Sequence, residues 1–227
     1  GLSKQVSSPE GPLTILDQVS LEVSQGETIA IVGVSGAGKS TLLRLLAGLA
    51  RPTSGSIELA GTGPARARIG FLGHATLLYP ELSARENLIF AGRLYGVPDA
   101  AARADRLLAE EGLSEVASRR TGGFSRGMAQ RLSIARARVH DPELLLLDEP
   151  FSGLDRPSAR RLTARLLALR AAGHSLVLVS HDVEQAAALA DQALILVRGR
   201  VAHRASGSGV EAEPLDRAYT QALGGGA

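Results

Sequence analysis

The sequence predicts an α/β fold built on a largely parallel β-sheet, and three observations support this class. Short runs rich in Leu, Ile and Val alternate with amphipathic stretches of helical length, the pattern of parallel strands joined by helices. A glycine-rich turn connects one such run, residues 28–32, to a helical stretch that begins at Lys39. Residues 83–139 contain helices and loops without a convincing strand, which indicates an inserted helical segment.

Composition narrows the class of protein. The chain has 227 residues, of which 44% are hydrophobic and 21% charged, an ordinary globular mixture. A formal net charge of only +2 gives little support to nucleic-acid binding. The absence of cysteine excludes disulfides and thiolate chemistry. No apolar stretch approaches the roughly 18 residues needed to span a bilayer, and no signal peptide is recognisable. We therefore expect a soluble, cytosolic protein.

The individual elements follow from periodicity and from local start signals. The predicted strands are residues 19–23, 28–32, 57–59, 69–72, 144–147, 176–179 and 193–197. The predicted helices are residues 39–49, a helix that opens at Ser83, and residues 99–111, 127–139, 156–172, 183–190 and 215–223. Ser83 and Glu86 have the spacing of a capping box. Residues 1–12 are expected to form a loop, and the tail 224–227 is expected to be disordered.

The segment GVSGAGKST fits the phosphate-binding loop pattern G-x-x-x-x-G-K-[ST], between a strand and a helix as that motif requires. Its glycines allow backbone N–H groups to converge on phosphate oxygens, and the helix N-terminus adds partial positive charge. Lys39 can reach the β- and γ-phosphates, and Ser40 can offer its hydroxyl to Mg²⁺. We expect seven residues to bind nucleotide: Gly33, Ser35, Gly36, Gly38, Lys39, Ser40 and Thr41. A glycine turn that precedes a helix by chance is the alternative; only two lysines occur in the chain, which favours nucleotide binding.

Two acids follow the apolar run LLLL at residues 144–147. Asp148, at the end of that predicted strand, can hold Mg²⁺ through water. Glu149 can polarise an attacking water as a general base. An acidic turn after a buried strand is the alternative for this motif alone, but the phosphate loop makes that alternative weak.

Three further features carry polar residues in places where ligands bind. Residues 124–131, FSRGMAQR, enter a predicted helix, whose N-terminal Ser and Gly could receive an anion. SGLD follows Glu149 at residues 152–155. His181 ends the strand SLVLVS, at the edge where α/β sheets place ligands. The other histidines considered are assigned to structural or surface positions: His140, His174 and His203.

In this order and spacing, the motifs over about residues 13–200 resemble those of the nucleotide-binding subunits of ATP-binding cassette (ABC) transporters. GVSGAGKST matches Walker A, LLLLDEP matches Walker B with its catalytic glutamate, SGLD matches the D-loop, and His181 matches the switch histidine. FSRGMAQR occupies the place of the signature LSGGQxQR.

The resemblance implies a P-loop NTPase fold in a single domain covering residues 1–227. A RecA-like parallel sheet core (13–80 and 140–205) would carry an N-terminal antiparallel β-subdomain and an inserted helical subdomain (about 81–139), with a tail at 206–227. No regulatory domain is expected after about residue 205.

The resemblance also implies a mechanism. Two cassettes would form a head-to-tail homodimer around two Mg·ATP, each site joining one chain's P-loop to Ser125, Gly127 and Asp155 of the other. Hydrolysis would drive export by membrane-spanning subunits on other chains, with this chain peripheral on the inner face of the plasma membrane. These subunits would dock on the segment ATLLYPEL after His74 and on the adjoining helix. Core packing of that apolar segment is the alternative.

Three departures from the family pattern stand out. His74 replaces the glutamine of the Q-loop; imidazole could still meet Mg²⁺ or water, with a charge that depends on pH. In the signature, Arg126 replaces a glycine and Met128 a glutamine. No aromatic residue precedes Phe71, and Val6 falls about where the family stacks adenine, so we expect weak adenine selectivity.

Within the superfamily, GFLGH and FSRGMAQRLSIAR most resemble the haem-exporter cassette of cytochrome c maturation. The opening, PLTILDQVSLEVSQGETIAIVG, is more similar to lipoprotein-release and macrolide-export cassettes. Divergence of one cassette would explain both similarities. An engineered hybrid joined between residues 49 and 70 would also explain them; such a chain would be a nucleotide-binding module with weak or no ATPase activity and no physiological transporter. A soluble ATP switch is a further class, but tandem cassettes or long coiled coils are expected there. The arginines of residues 156–170 are expected to form a solvated helix face, not a nucleic-acid site.

Overall fold

The computed structural model describes residues 1–9 and 11–224. The strands in that part of the chain are β1 (Leu2–Ser8), β2 (Gly11–Val19), β3 (Thr28–Val32), β4 (Ile69–Leu72), β5 (Leu144–Asp148), β6 (Ser175–Ser180), β7 (Gln192–Val197) and β8 (Arg200–Ser206). The α-helices are α1 (Lys39–Leu46), α2 (Ala84–Leu94), α3 (Ala100–Glu110), α4 (Arg126–Ala137), α5 (Arg156–Ala171), α6 (Val183–Ala187) and α7 (Ala212–Gly224). The predicted disorder of the tail falls mostly on 225–227, outside the described residues.

Six strands form the main sheet in the order β4-β5-β6-β3-β7-β8. The first five strands of that order are parallel, and β8 pairs antiparallel with β7. This arrangement confirms the predicted α/β class. Strands β3 and β6 are buried along their whole length, which explains their continuous apolar runs. Because β3, β5 and β6 run in the same direction, the residues that follow them meet at one edge of the sheet.

Each face of the sheet has its own apolar core. Ala30 and Val32 face a cluster completed by α5, α6 and α7, whereas Ile29 and Ile31 face a cluster completed by α1, β1 and β2. A third cluster lies between α2, α3 and α4 and includes Leu88, Leu107 and Leu132. The helices that follow β4 therefore have a core of their own.

Strand β4 is at the edge of the sheet, and its outer side is covered by the last turn of α4 and by the residues that follow that helix. The Arg136 Nη2 donates to the carbonyl of Phe71 at 3.5 Å, and the His140 Nε2 lies 3.1 Å from the carbonyl of Ile69. The His140 ring stacks on Tyr95 with centroids 3.7 Å apart. Side chains thus take the positions that a neighbouring strand would fill.

Four charged side chains join the helices α3, α4 and α5. Arg138 donates to Glu111 at 3.1 Å and to Glu110 at 3.0 Å, and Arg165 of α5 donates to Glu111 at 3.0 Å and also pairs with Glu110. Arg138 and Glu111 are buried, with 7% and 4% of their side chains exposed. Arg170 of the same helix pairs with Asp191. Two of the arginines of α5 therefore have acidic partners within the fold.

Two sequence predictions about the N-terminal third were wrong. Residues 1–12 were expected to form a loop but contribute β1 and the start of β2, an antiparallel two-stranded sheet in which Gln5 opposes Thr14. The predicted strand at 19–23 lies too late, because β2 ends at Val19. A two-stranded ribbon with exposed faces tolerates polar side chains, so its sequence lacks a strong strand pattern.

Residues 57–59 are another correction, since they form no strand. Ile57 is 40% exposed there, and the nearby pairing consists of an isolated bridge between Ser3 and Ser54. Strand β8 was not predicted, while the remaining strands and helices were confirmed with ends shifted by a few residues. The capping box is also confirmed: the Ser83 side chain accepts from the N–H of Glu86, whose carboxylate accepts from the N–H of Ser83.

Candidate active site

The glycine-rich loop after β3 packs closely against the backbones of β7 and β2. Gly36 and Gly38 have φ values of +80° and +102°, in the left-handed region that favours glycine. A Cβ on Gly33 would overlap the carbonyl oxygen of Leu196 in β7, and one on Gly38 would lie 2.8 Å from the carbonyl oxygen of Ile15 in β2. The glycines therefore serve both the loop conformation and its close packing.

Lys39 begins α1 with its ammonium turned back into the loop. Its Nζ donates to the carbonyls of Gly33 at 2.7 Å and Val34 at 3.0 Å. Burial lowers its pKa, against the attraction of Glu149 and Asp148, which raises it. Among residues 1–9 and 11–224, no side chain caps the start of α1, and no acid lies in its first turn. The loop thus presents a cation and a helix N-terminus, which suit a phosphate.

Ser40 and Asp148 lie together although they are 108 residues apart in sequence, and Ser40 Oγ donates to Asp148 Oδ1 at 3.0 Å. The pKa of Asp148 is raised, mainly because the carboxyl group is buried and to a smaller extent because of the negative charge of Glu149. The hydrogen bond from Ser40 and the positive charges of His74 and Lys39 act in the opposite direction. Among the described residues, no group of three or more His, Asp or Glu could hold a metal. One hydroxyl and one carboxylate fit Mg²⁺, which takes its other ligands from phosphates and water.

Glu149 adopts a strained backbone conformation, with φ at +51°. Its N–H donates to the carbonyl of Val179 in β6 at 3.0 Å, which fixes the turn after β5. Its Oε2 lies 2.7 Å from the Nδ1 of His181, the residue that follows β6. The Glu149 side chain is 18% exposed and that of His181 67%. A shielded carboxylate beside an accessible imidazole can accept a proton from a water molecule.

A second group of predicted residues lies at the starts of α4 and α5. Ser125 caps α4 by accepting from the N–H of Met128 at 3.3 Å, and Asp155 caps α5 by accepting from the N–H of Ser158 at 2.8 Å. A Cβ on Gly127 would lie 3.6 Å from Ser158 Oγ, so the two helix starts are adjacent. Within the described part of the chain, no hydrogen bond joins this group to the phosphate loop.

Sequence reasoning missed one connection in this region. The Gln130 Nε2 donates to the carbonyl of Pro150 at 2.6 Å, and thereby ties α4 to the segment directly after Glu149. Ser133 of the same helix donates to the carbonyl of Thr76, two residues after His74. The only signal for this role was the position of Gln130 within the FSRGMAQR motif.

A phosphate loop after one parallel strand and two acids at the carboxyl end of another strand of the same sheet define a P-loop nucleoside triphosphatase. The ABC transporter family model matches residues 16–152, more than half of the chain. The chain therefore belongs to the ABC transporter family, and it is an ATPase that binds ATP with Mg²⁺.

Similar proteins agree with this assignment. The chain is 38% identical to the ABC transporter ATP-binding protein NatA of Bacillus subtilis, over 82% of this chain and 79% of NatA. It is 39% identical to the Nod factor export ATP-binding protein I of Paraburkholderia xenovorans, over 86% and 67% of the two chains. A solved ATP-binding subunit of an ABC transporter superposes with a TM-score of 0.85 at 31% identity, covering 98% of this chain and 97% of that one. The ATP-binding cassette MJ0796, a dimer in a post-hydrolysis state bound to ADP and Pi, gives 0.83 at 27% identity, covering 90% and 96%.

Proposed function

We propose that this chain couples Mg·ATP hydrolysis to transport by separate membrane subunits, with Glu149 as the general base. The observation that carries the proposal is the 2.7 Å contact between Glu149 and His181, beside the Ser40–Asp148 pair. When bound, Mg²⁺ polarises the phosphate oxygens of ATP. Lys39 and the loop glycines would hold the phosphates, while Ser40 and Asp148 would hold the ion, the latter through water.

The two histidines have different proposed roles. His181 would orient the Glu149 carboxylate and contact the reacting phosphate. His74 is exposed and follows β4 by two residues, and it would lie near the metal in the position of the family's Q-loop glutamine. Glu149 would take the proton released by the attacking water.

A homodimer is proposed because the predicted site residues fall into two groups on one chain. Ser125 and Asp155 are exposed and are not bonded to their own phosphate loop. A second chain in head-to-tail orientation would supply these groups, with Gly127, to the opposite nucleotide. The dimeric state of the MJ0796 cassette supports this arrangement.

Light scattering with and without Mg·ATP tests the dimer, with Glu149→Gln used to hold the state before hydrolysis. We expect the wild type to stay largely monomeric and the variant to become a dimer only with ATP. ATP binding without hydrolysis and without a dimer would instead favour the hybrid nucleotide-binding module.

The docking surface is proposed around the loop after β4. Leu77, Tyr79 and Phe90 are 56%, 50% and 40% exposed, which supports such a surface, and Tyr79 meets Phe90 edge-to-face at 5.1 Å. Leu78 of the same segment is instead packed against the apolar core of α2, α3 and α4. In residues 1–9 and 11–224 no helix is long and apolar enough to cross a bilayer. As is typical of the family, membrane-spanning subunits on other chains would bind this surface, with this chain peripheral on the inner face of the membrane.

For the transported molecule, we propose haem, exported as in cytochrome c maturation. Its support is the similarity of GFLGH and FSRGMAQRLSIAR to haem-exporter cassettes. The names of the relatives point to other systems, including Nod factor export and aliphatic sulfonates import. ATPase activity of the chain assembled with its membrane subunits should rise with haem and not with aliphatic sulfonates; the reverse response would contradict haem export.

Weak adenine selectivity is expected from the β1–β2 sheet. Val6 pairs with Leu13, and both are exposed, at 39% and 53%, where the family would place an aromatic ring. Stacking of a base on an aromatic side chain contributes about 1–3 kcal/mol. Equilibrium titrations should give ATP and GTP affinities within about tenfold of each other, and Val6→Tyr should strengthen ATP binding. A GTP affinity further below that for ATP in the wild type would contradict the expectation.

A further inference from the structure

We propose that Arg126 binds phosphate oxygens of the nucleotide held by the partner chain, as an additional binding residue of the composite site. This inference rests on the proposed head-to-tail dimer. Arg126 is the first residue of α4 and lies between Ser125 and Gly127, the two residues assigned to the opposite nucleotide. It is exposed, so a phosphate on a second chain could reach it.

The guanidinium of Arg126 has little to bind within its own chain. In the described residues it forms no ion pair, and its hydrogen bond is a long one, from Nη2 to Ser152 Oγ at 3.4 Å. A guanidinium offers five N–H donors in a fork that matches phosphate oxygens. Most of that capacity is therefore free for a ligand.

Within its own chain, the Arg126 side chain packs against the D-loop, residues 152–155. Gly153 has φ at +70°, and a Cβ at this position would overlap the guanidinium of Arg126. Asp155, the acid of this loop, is used to cap α5 through the N–H of Ser158. The resting contact consequently holds Arg126 near the dimer face without neutralising it.

The surroundings of Arg126 favour an anion. The first turns of α4 and α5 contain no acidic residue. Three further arginines at the start of α5 are exposed: Arg156, Arg160 and Arg161. Positive potential from several fixed cations attracts a triphosphate, and a charge-assisted bidentate contact gives it a defined place.

The competing role for Arg126 is a brace that fixes the D-loop of its own chain. Mixed dimers distinguish the two roles, because Lys39→Ala disables the phosphate loop of one chain only. Both chains carry Glu149→Gln and different affinity tags. In the first arrangement Lys39→Ala and Arg126→Met are on the same chain; in the second they are on opposite chains. Radiolabelled ATP retained per dimer is measured against ATP concentration.

In the same-chain arrangement the intact phosphate loop faces the signature that carries Arg126→Met. We therefore expect this dimer to need roughly 10- to 100-fold more ATP for half-saturation than the dimer that carries Lys39→Ala alone, the loss expected for one charge-assisted hydrogen bond. The opposite-chain arrangement should match the dimer that carries Lys39→Ala alone, and Arg126→Lys should restore part of the affinity. The opposite ranking, or equal affinities in both arrangements, would overturn the proposal. If Glu149→Gln forms no ATP-dependent dimer at all, the head-to-tail dimer itself fails and the Arg126 contact falls with it.

Discussion

Glu149→Gln is expected to lower the rate of ATP hydrolysis by about 10²- to 10⁴-fold, the range associated with loss of a general base. Glutamine has the size of glutamate and keeps an oxygen that can accept from the His181 Nδ1, now 2.7 Å from the carboxylate. It cannot take up the proton of the attacking water. Phosphate release at saturating Mg·ATP measures the effect, and ATP binding should be retained.

Glu22→Gln is the matched control, because Glu22 is an exposed glutamate outside the site. Its hydrolysis rate should equal that of the wild type. If Glu149→Gln retains more than about a tenth of wild-type turnover, general-base catalysis by Glu149 is wrong. His181→Ala would then be the variant that identifies the proton acceptor.

Arg138→Met is expected to lower the free energy of unfolding by about 3 kcal/mol, at the low end of the range for breaking a buried ion pair. Glu111 would remain 4% exposed and would lose the guanidinium at 3.1 Å, keeping only Arg165 at 3.0 Å. Methionine fills much of the volume of the arginine stem, so a cavity contributes little. Urea unfolding followed by circular dichroism gives the difference.

Arg85→Met provides the comparison for this cluster. Arg85 pairs with Asp105 at 2.6 Å, but both side chains are about half exposed, at 41% and 54%. Solvent-exposed pairs contribute little, so its unfolding midpoint should lie close to that of the wild type. Equal destabilisation by the two substitutions would show that burial does not set the importance of the Arg138 pair.

The candidate site was predictable because its residues lie at or after the carboxyl ends of strongly apolar strands. Lys39, Asp148, Glu149 and His181 are placed by β3, β5 and β6, and parallel strands bring their carboxyl ends together. Family resemblance supplied the roles of these residues, which periodicity alone could not give. The 2.7 Å contact between Glu149 and His181 depends on a strained turn that no local pattern encodes.

Elements at the periphery escaped prediction because their stability comes from pairing. β1 is mostly polar and is held by β2 and by Thr53, whose hydroxyl accepts from the N–H of Gln5. β8 is RVAHRAS, a mostly exposed strand at the edge of the sheet without a clear polar–apolar alternation. Residues 57–59 have a strand-like composition but form no strand. The resting contact of Arg126 on Gly153 required three-dimensional proximity between separate motifs.

The covering of β4 by Arg136 and His140 affects whether this protein aggregates when it partly unfolds. An uncovered edge strand offers unpaired carbonyl and N–H groups to any other extended chain. Here two carbonyls of that edge, those of Ile69 and Phe71, are in contact with His140, just after α4, and with Arg136 in its last turn. If α4 detached locally, β4 would become a template for intermolecular strand addition. Conditions that loosen α2–α4 before the sheet should therefore produce aggregates instead of a reversibly unfolded chain.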